Sequence, residues 1–141
     1  MIYLLDTDIF TLTHQRRFGL RERVAAVAGP DLVAVSVMTK VEVLLGRLDA
    51  VRKAATSEDV IRMQDRLAQS ETFLGAFPML PFNPAAGVFF DRFRTGKPVG
   101  KMDRGDLLVA CIALAHAATL VTRNTKDFAH VPGLKLDNWA D

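Results

Sequence analysis

Apolar positions along this chain fall into short unbroken runs set between longer stretches of helical periodicity. Residues 2–5, Ile-Tyr-Leu-Leu, run straight into Asp6. Such a run, with no polar alternation, reads as a strand covered on both faces, as in a parallel α/β sheet. Leu32-Val33-Ala34-Val35-Ser36 repeats the pattern and is rich in β-branched residues. Residues 79–82 and 119–122 are shorter runs, and Pro81 places the first of these near a sheet edge. Residues 134–136 make a final edge strand before Trp139.

The intervening stretches read as helices. Ile9, Phe10, Leu12 and Thr13 begin the first, with Asp8 near its N-terminus. Arg16-Arg17-Phe18-Gly19 is a break, and residues 20–28 form a short helix closed by Gly29-Pro30. A third helix runs from about Thr39 to Gly46, with Gly46 as its C-terminal stop. Over residues 54–73, Val60, Ile61, Met63, Leu67 and Phe73 recur at helical spacing among charged residues, with Thr56 or Ser57 as cap. The segment 44–77 therefore reads as a helical hairpin or pair. Pro84 opens a helix that reaches about Arg94, since its missing N–H costs nothing at a helix start. Gly96, Pro98, Gly100 and Gly105 punctuate a loop over residues 95–105. Asp106 starts a helix that is apolar on nearly every face and so deeply buried. Asp127-Phe128 begins a short turn. Strands alternating with helices predict a parallel sheet with right-handed crossovers.

Composition narrows this picture. A chain of 141 residues, half of them apolar, fits one domain with a sizeable core. Net charge is only +2, so bulk charge does not announce a nucleic-acid binder. The distribution says more: Arg92, Arg94, Lys97, Lys101 and Arg104 crowd the approach to Asp106, and Arg123 and Lys126 follow the fourth strand. Such patches hold phosphates electrostatically. The single cysteine, Cys111, excludes an intramolecular disulfide and lies in an apolar run as a small core residue. The N-terminus lacks the basic lead and cleavage site of a signal peptide. The apolar stretch 107–115 is shorter than the roughly 20 residues a membrane span needs. The expected location is the cytoplasm, with no membrane partner.

Acidic residues carry the candidate chemistry. Asp6 ends a buried strand, where open α/β folds place their sites and where an unpaired charge is costly. Glu42 and Asp106 occupy comparable topological positions. Each also has a structural use. Asp6 suits a cap of the first helix, although Thr7 and Asp8 make it redundant there. Glu42 follows Thr39 at capping-box spacing. Asp106 suits an N-cap, and Asp103 offers the same service a few residues earlier. Three anions on one sheet edge repel unless a cation neutralises them. Oxygen-only ligands suit Mg²⁺ or Mn²⁺ rather than Zn²⁺. Asn124, at the end of the fourth strand, is placed to join the site. Asp127 reads more as a helix cap. Thr7 and Thr122 share the edge and can orient a carboxylate or a phosphate. His14, His116 and His130 lack ligand spacing and read as structural or surface residues. No Walker-type phosphate loop is present.

Leu4-Leu5-Asp6-Thr7-Asp8-Ile9, Ser36-Val37 with Thr39 through Glu42 to Gly46, Arg104-Gly105-Asp106-Leu107-Leu108-Val109-Ala110, residues 119–128, and Val131-Pro132-Gly133-Leu134 to Asn138-Trp139 occur in that order. In this ordered set the chain resembles the PIN-domain ribonuclease toxins of VapBC toxin–antitoxin modules, over nearly its full length and least over residues 50–77. The resemblance implies a three-layer α/β/α sandwich around a short central parallel sheet, with residues 1–141 as one PIN-like domain. It implies Mg²⁺- or Mn²⁺-dependent cleavage of RNA, often tRNA or another structured RNA. Asp6, Glu42 and Asp106 match the family's metal-binding acids, and Asn124 falls where many PIN nucleases carry a fourth acid. A homodimer and a cognate VapB-type antitoxin, inserted into the active-site groove, are further implications.

The mechanism expected from these residues is attack of a metal-activated water on a phosphodiester. Arg94, Lys97, Lys101, Arg104 and Arg123 would clamp the RNA backbone. Two alternatives stand beside it. Asp6-Thr7-Asp8-Ile9-Phe10 echoes the nucleophile motif of haloacid-dehalogenase-type phosphatases, although Phe10 breaks the pattern. A non-catalytic RNA-binding or regulatory module would use the same acids to hold a structural cation.

Overall fold

The computed structural model describes residues 1–95 and 102–141. Lys97 and Lys101, both predicted RNA contacts, lie outside the described residues. Strands β1 (Ile2–Leu5), β2 (Leu32–Ser36), β3 (Met79–Leu80), β4 (Thr119–Val121) and β5 (Lys135–Asp137) form one sheet in the order β3-β2-β1-β4-β5, with every neighbouring pair parallel. The helices are α1 (Thr7–His14), α2 (Leu20–Ala25), α3 (Val37–Lys53), α4 (Ser57–Gly75), α5 (Pro84–Thr95), α6 (Arg104–Ala115) and the short α7 (Thr125–Phe128).

Register explains the three layers. Leu4 lies beside Ala34 on one side and Leu120 on the other, and Leu5 beside Val35 and Val121. Successive strand residues point to opposite faces. Leu4, Ala34 and Leu120 therefore join one core with Ala86, Val109, Ala110 and Ile112 of α5 and α6. Leu5, Val35 and Val121 join a second core with Ile9, Phe10, Leu20 and Leu74 of α1, α2 and α4. Both cores need apolar residues at adjacent strand positions, which is why the strands read as unbroken runs. Cys111 is fully buried in the α5–α6 core, as expected.

Several element ends differ from the sequence-based expectation. Gly46 does not stop its helix: α3 continues to Lys53. An interior glycine costs only about 1 kcal/mol, and α3 packs against α4, with Arg47 just beyond the glycine bonded to Ser70. The helix after Gly19 ends at Ala25 instead of 28. The third strand is limited to Met79–Leu80, the fourth ends at Val121, and the last is shifted to Lys135–Asp137. The cap assignments also change. Ser36 caps α3, accepting the Thr39 N–H at 3.1 Å. Thr39 is thus helical and cannot form a capping box with Glu42. Asp103 caps α6, accepting the Asp106 N–H at 2.8 Å. The helix starts at Arg104, so Asp106 is released from capping. Asp6, expected to be redundant as a cap, is the cap of α1. Thr56 caps α4, one of the two residues expected.

Candidate metal and phosphodiester site

The chain leaves β1 for β2 and β3 on one side of the sheet, then crosses to β4 and β5 on the other. The switch falls between β1 and β4, and doubly wound sheets bind ligands outside the carboxyl ends of the strands at such a point. A cleft of about 380 Å³ opens there, lined by Asp6, Thr7, Asp8, Thr11, Glu42, Asp106, Val109 and Asn124. All four residues expected in the catalytic site are on its wall. Asp8 and Thr11 were not expected there. Their signal was available in the spacing, since Thr7, Asp8 and Thr11 fall on neighbouring positions of one helix face.

Each acid arrives by a different route. Asp6 has extended backbone at the β1–α1 junction, and its Oδ1 accepts the Ile9 N–H at 2.8 Å. Its residue is 9% exposed, and burial raises its pKa, opposed by the adjacent Thr122 hydroxyl and the Ile9 N–H. Glu42 lies three residues beyond Thr39 on α3, hence on the same helix face. The Thr39 and Thr7 hydroxyls are 3.0 Å apart, which ties that face to the start of α1. Asp106 sits in the first turn of α6. Burial, then the nearby charges of Asp103, Asp6, Glu42 and Asp127, push its pKa up to about 6.

Gly105 lets two of these elements meet. A methyl group in place of its hydrogen would lie 3.2 Å from Glu42 Oε1 and 3.4 Å from Asp103 Oδ1. Any side chain there would crowd the Glu42 carboxylate.

The donor set of the cleft is carboxylates, hydroxyls and one amide, with no His or Cys. This chemistry fits a hard, oxygen-preferring cation. Among the described residues no three acids, histidines or cysteines gather closely enough to cage an ion. Mg²⁺ is usually bound through one or two carboxylates while keeping several waters, so two of these acids suffice as direct ligands. Burial first, and the neighbouring carboxylates second, raise the Asp106 and Asp6 pKa values, so these anions are costly to keep charged without a cation.

Among the described residues, the predicted basic residues Arg94, Arg104 and Arg123 do not line this cleft. Arg94 Nη2 is 3.7 Å from Asp91 Oδ1, and the Arg94 and Arg104 guanidinium carbons each lie 6.0 Å from the Phe90 ring centroid. Arg123 stands 5.1 Å from the centroid of Phe18 and 3.7 Å from Asp141 Oδ1. The phosphatase echo finds no support in the packing: Phe10 is a buried core residue. A second, more apolar hollow of about 240 Å³ lies between α3, α4 and β3, lined by Val35, Leu44, Leu74, Phe77 and Met79 with Lys40 and Glu71 at its margin. It brings together no comparable set of acids. No helix among the described residues is long and apolar enough to cross a membrane.

Comparison with known proteins agrees with this geometry. No protein-family model matches the chain. It is 30% identical over 145 residues to ribonuclease VapC2 of Rickettsia felis, an alignment spanning 99% of this chain and 98% of that protein. It is 26% identical over 144 residues to the tRNA(fMet)-specific endonuclease VapC of Shigella flexneri, spanning 98% of each. A chain in the crystal structure of VapBC2 from Rickettsia felis bound to a promoter DNA fragment superposes with a TM-score of 0.79 at 26% identity, covering 99% of both chains. With the five-stranded parallel sheet, the flanking helices and a full-length relative at this identity, the chain belongs to the VapC family of PIN-domain ribonuclease toxins.

Proposed function

We propose that Asp6, Glu42 and Asp106 hold Mg²⁺ (or Mn²⁺) and that the site cleaves tRNA or another structured RNA endonucleolytically. The observation that carries this reading is the meeting of three carboxylates from three separate elements on one cleft at the switch point of the sheet. A divalent cation held there supplies Lewis-acid stabilisation of the attacked phosphate and acidifies water at the site. Asp6 and Asp106 are the direct ligands in this reading. Glu42, exposed at the cleft wall, either joins them or orients the attacking water. Asn124 offers an amide to hydrogen-bond that water or the phosphate. Thr7 and Thr39 hold α1 and α3 at the spacing the acids need. In-line attack by water then breaks one P–O bond, leaving a phosphate on one fragment and a hydroxyl on the other. Arg94, Arg104 and Arg123, with Lys97 and Lys101, supply outlying positive charge for the RNA backbone.

The tRNA preference is supported by the VapC of Shigella flexneri, whose name specifies tRNA(fMet). The whole chain, 1–141, acts as a single PIN-like domain in this reading. A cognate VapB-type antitoxin is the expected protein partner, supported by the toxin–antitoxin complex of the Rickettsia felis homologue. Homodimerisation is also expected. Val41, Leu45 and Leu48 form an exposed apolar line along α3 and supply surface for such contacts.

Cleavage of a total tRNA pool by purified protein, in Mg²⁺ and in EDTA, tests the reading. Discrete fragments should appear with Mg²⁺ and vanish with EDTA or with Asp6→Asn. Full metal-dependent cleavage by a folded Asp6→Asn protein would overturn the assignment.

A further inference from the structure

We propose that the pocket formed by His14, Gln15, Arg47, Arg66 and Gln69 binds a backbone phosphate of the RNA, a nucleotide or two from the cleaved bond. The inference rests on the nuclease reading above and adds to it a second, cationic subsite. The pocket encloses about 390 Å³ where the C-terminal end of α1 meets α3 and α4. Its wall has two arginines, a histidine and two amides, and no acid.

The pocket is built and its charge is uncompensated. Arg47 Nε donates to Ser70 Oγ at 3.0 Å, and Ser70 is fully buried. That bond fixes the plane of the guanidinium while taking up only one of its five N–H groups. The His14 ring stacks on Phe73, with centroids 4.6 Å apart and planes 14° apart. Phe73 is in turn covered by the Arg21 guanidinium at 4.8 Å, and Arg21 is held by the Thr13 and His14 carbonyls. Among the described residues, Arg21, Arg47 and Arg66 make no ion pair, whereas Lys53 and Arg62 on the same two helices do. The six undescribed residues contain no acid that would change this. The Arg21 and Arg47 charges, with burial as the largest cause, lower the His14 pKa. Like charges held together in this way are relieved by an anion.

Position selects the anion. The acid cleft and this pocket lie at successive positions along α1, which contributes Thr7, Asp8 and Thr11 to the first and His14 and Gln15 to the second. α3 likewise contributes Glu42 and then Arg47. At 1.5 Å per helical residue the two lie roughly 7–10 Å apart along the helices. Consecutive phosphates of one strand are separated by more than the axial rise of about 3.4 Å per nucleotide, so the span corresponds to one or two phosphates. A strand whose scissile phosphate enters a cleft of carboxylates gains from a fixed cationic anchor at that distance. Arg forks recognise phosphate by paired N–H groups, and the amides of Gln15 and Gln69 add neutral donors.

The test measures binding of a tRNA pool to Asp6→Asn protein in Mg²⁺ across a salt series, with cleavage by the otherwise wild-type chain measured in parallel. Arg66→Gln and Arg47→Gln are compared with Lys53→Gln, whose ammonium is already paired with Asp49. Arg66 is exposed, so its variant reads the pocket even if loss of the Arg47–Ser70 bond impairs folding. Each pocket substitution should flatten the slope of log K against log salt by about 0.7–0.9, the value of one phosphate contact. It should also raise KM for tRNA several-fold, with Lys53→Gln unchanged. Unchanged slope and KM in both pocket variants, alongside normal wild-type cleavage, would overturn the subsite and leave the nuclease reading intact. Slopes that depend on Arg66 in a protein that never cleaves RNA would do the reverse. Hexaglutamate binding that needs Arg47 and Arg66, with RNA binding indifferent to them, would make the pocket an acidic-peptide site and overturn the proposal.

Discussion

Asp6 accepts the Ile9 N–H through Oδ1 while lining the acid cleft, so its substitutions must separate cap from charge. Asparagine keeps a capping oxygen, and Asp6→Asn should lose cleavage with its denaturation midpoint nearly unchanged. Asp6→Ala loses both, and the missing cap should cost about 1 kcal/mol in a denaturant titration. Gly105 allows the opposite separation. It lies inside α6, where alanine is favoured over glycine by about 0.5–1 kcal/mol. The added methyl meets Glu42 Oε1 at 3.2 Å and the capping Asp103 Oδ1 at an ordinary 3.4 Å, both side-chain ends and not backbone. Gly105→Ala should therefore raise the melting temperature while displacing Glu42, with slower cleavage and a higher Mg²⁺ requirement. Slower cleavage with a lowered melting temperature would instead mean that α6 itself had been disturbed.

Helix α3 shows what an element adds to its residues. Gly46 and the Thr39–Glu42 spacing suggested a short helix with a capping box, but packing against α4 carries α3 through to Lys53, and Ser36 supplies the cap. Moving the start of the helix back to Val37 fixes the direction in which Glu42 points. Nothing lies within 4 Å of a Cβ added at Gly46. Gly46→Ala should stabilise the protein by about 0.5–1 kcal/mol with no change in cleavage rate, checked by denaturant titration beside the tRNA assay. The same continuity of α3 puts Glu42 and Arg47 on one element, one in the acid cleft and the other in the cationic pocket.

Over the whole molecule, the fold gathers acids from the β1–α1 junction, α3 and α6 against the cost of burial and of their repulsion, and stability should register that cost. The Asp106 pKa rises from 3.8 to about 6 in the folded chain, and that of Asp6 rises as well. The folded state then binds protons more readily than the unfolded state in that interval. Stability in EDTA should fall as pH rises from about 4 to about 6. Mg²⁺ should restore it above pH 6, and because proton and cation compete for Asp106, the pH below which cleavage declines should fall as Mg²⁺ concentration rises; melting temperatures and rates measured at each pH check both signs. The chain itself made the strands and their parallel arrangement legible, because burial on two faces demands continuous apolar runs, and it marked Asp6 because a carboxylate ending a buried strand is costly; Glu42 and Asp106 were singled out by their places after the second strand and at the start of a buried helix. It did not make the caps legible: Asp6, Ser36 and Asp103 were chosen among several adequate neighbours by where the strands end and the helices dock. His14 read as a structural or surface residue, and Arg47 and Arg66 were not singled out, since nothing in local spacing shows that α1, α3 and α4 converge. Local chemistry determined which residues were available to react. The packing of helices distant in sequence decided which of them share a cleft, because only long-range contacts fix the distances on which electrostatics depends.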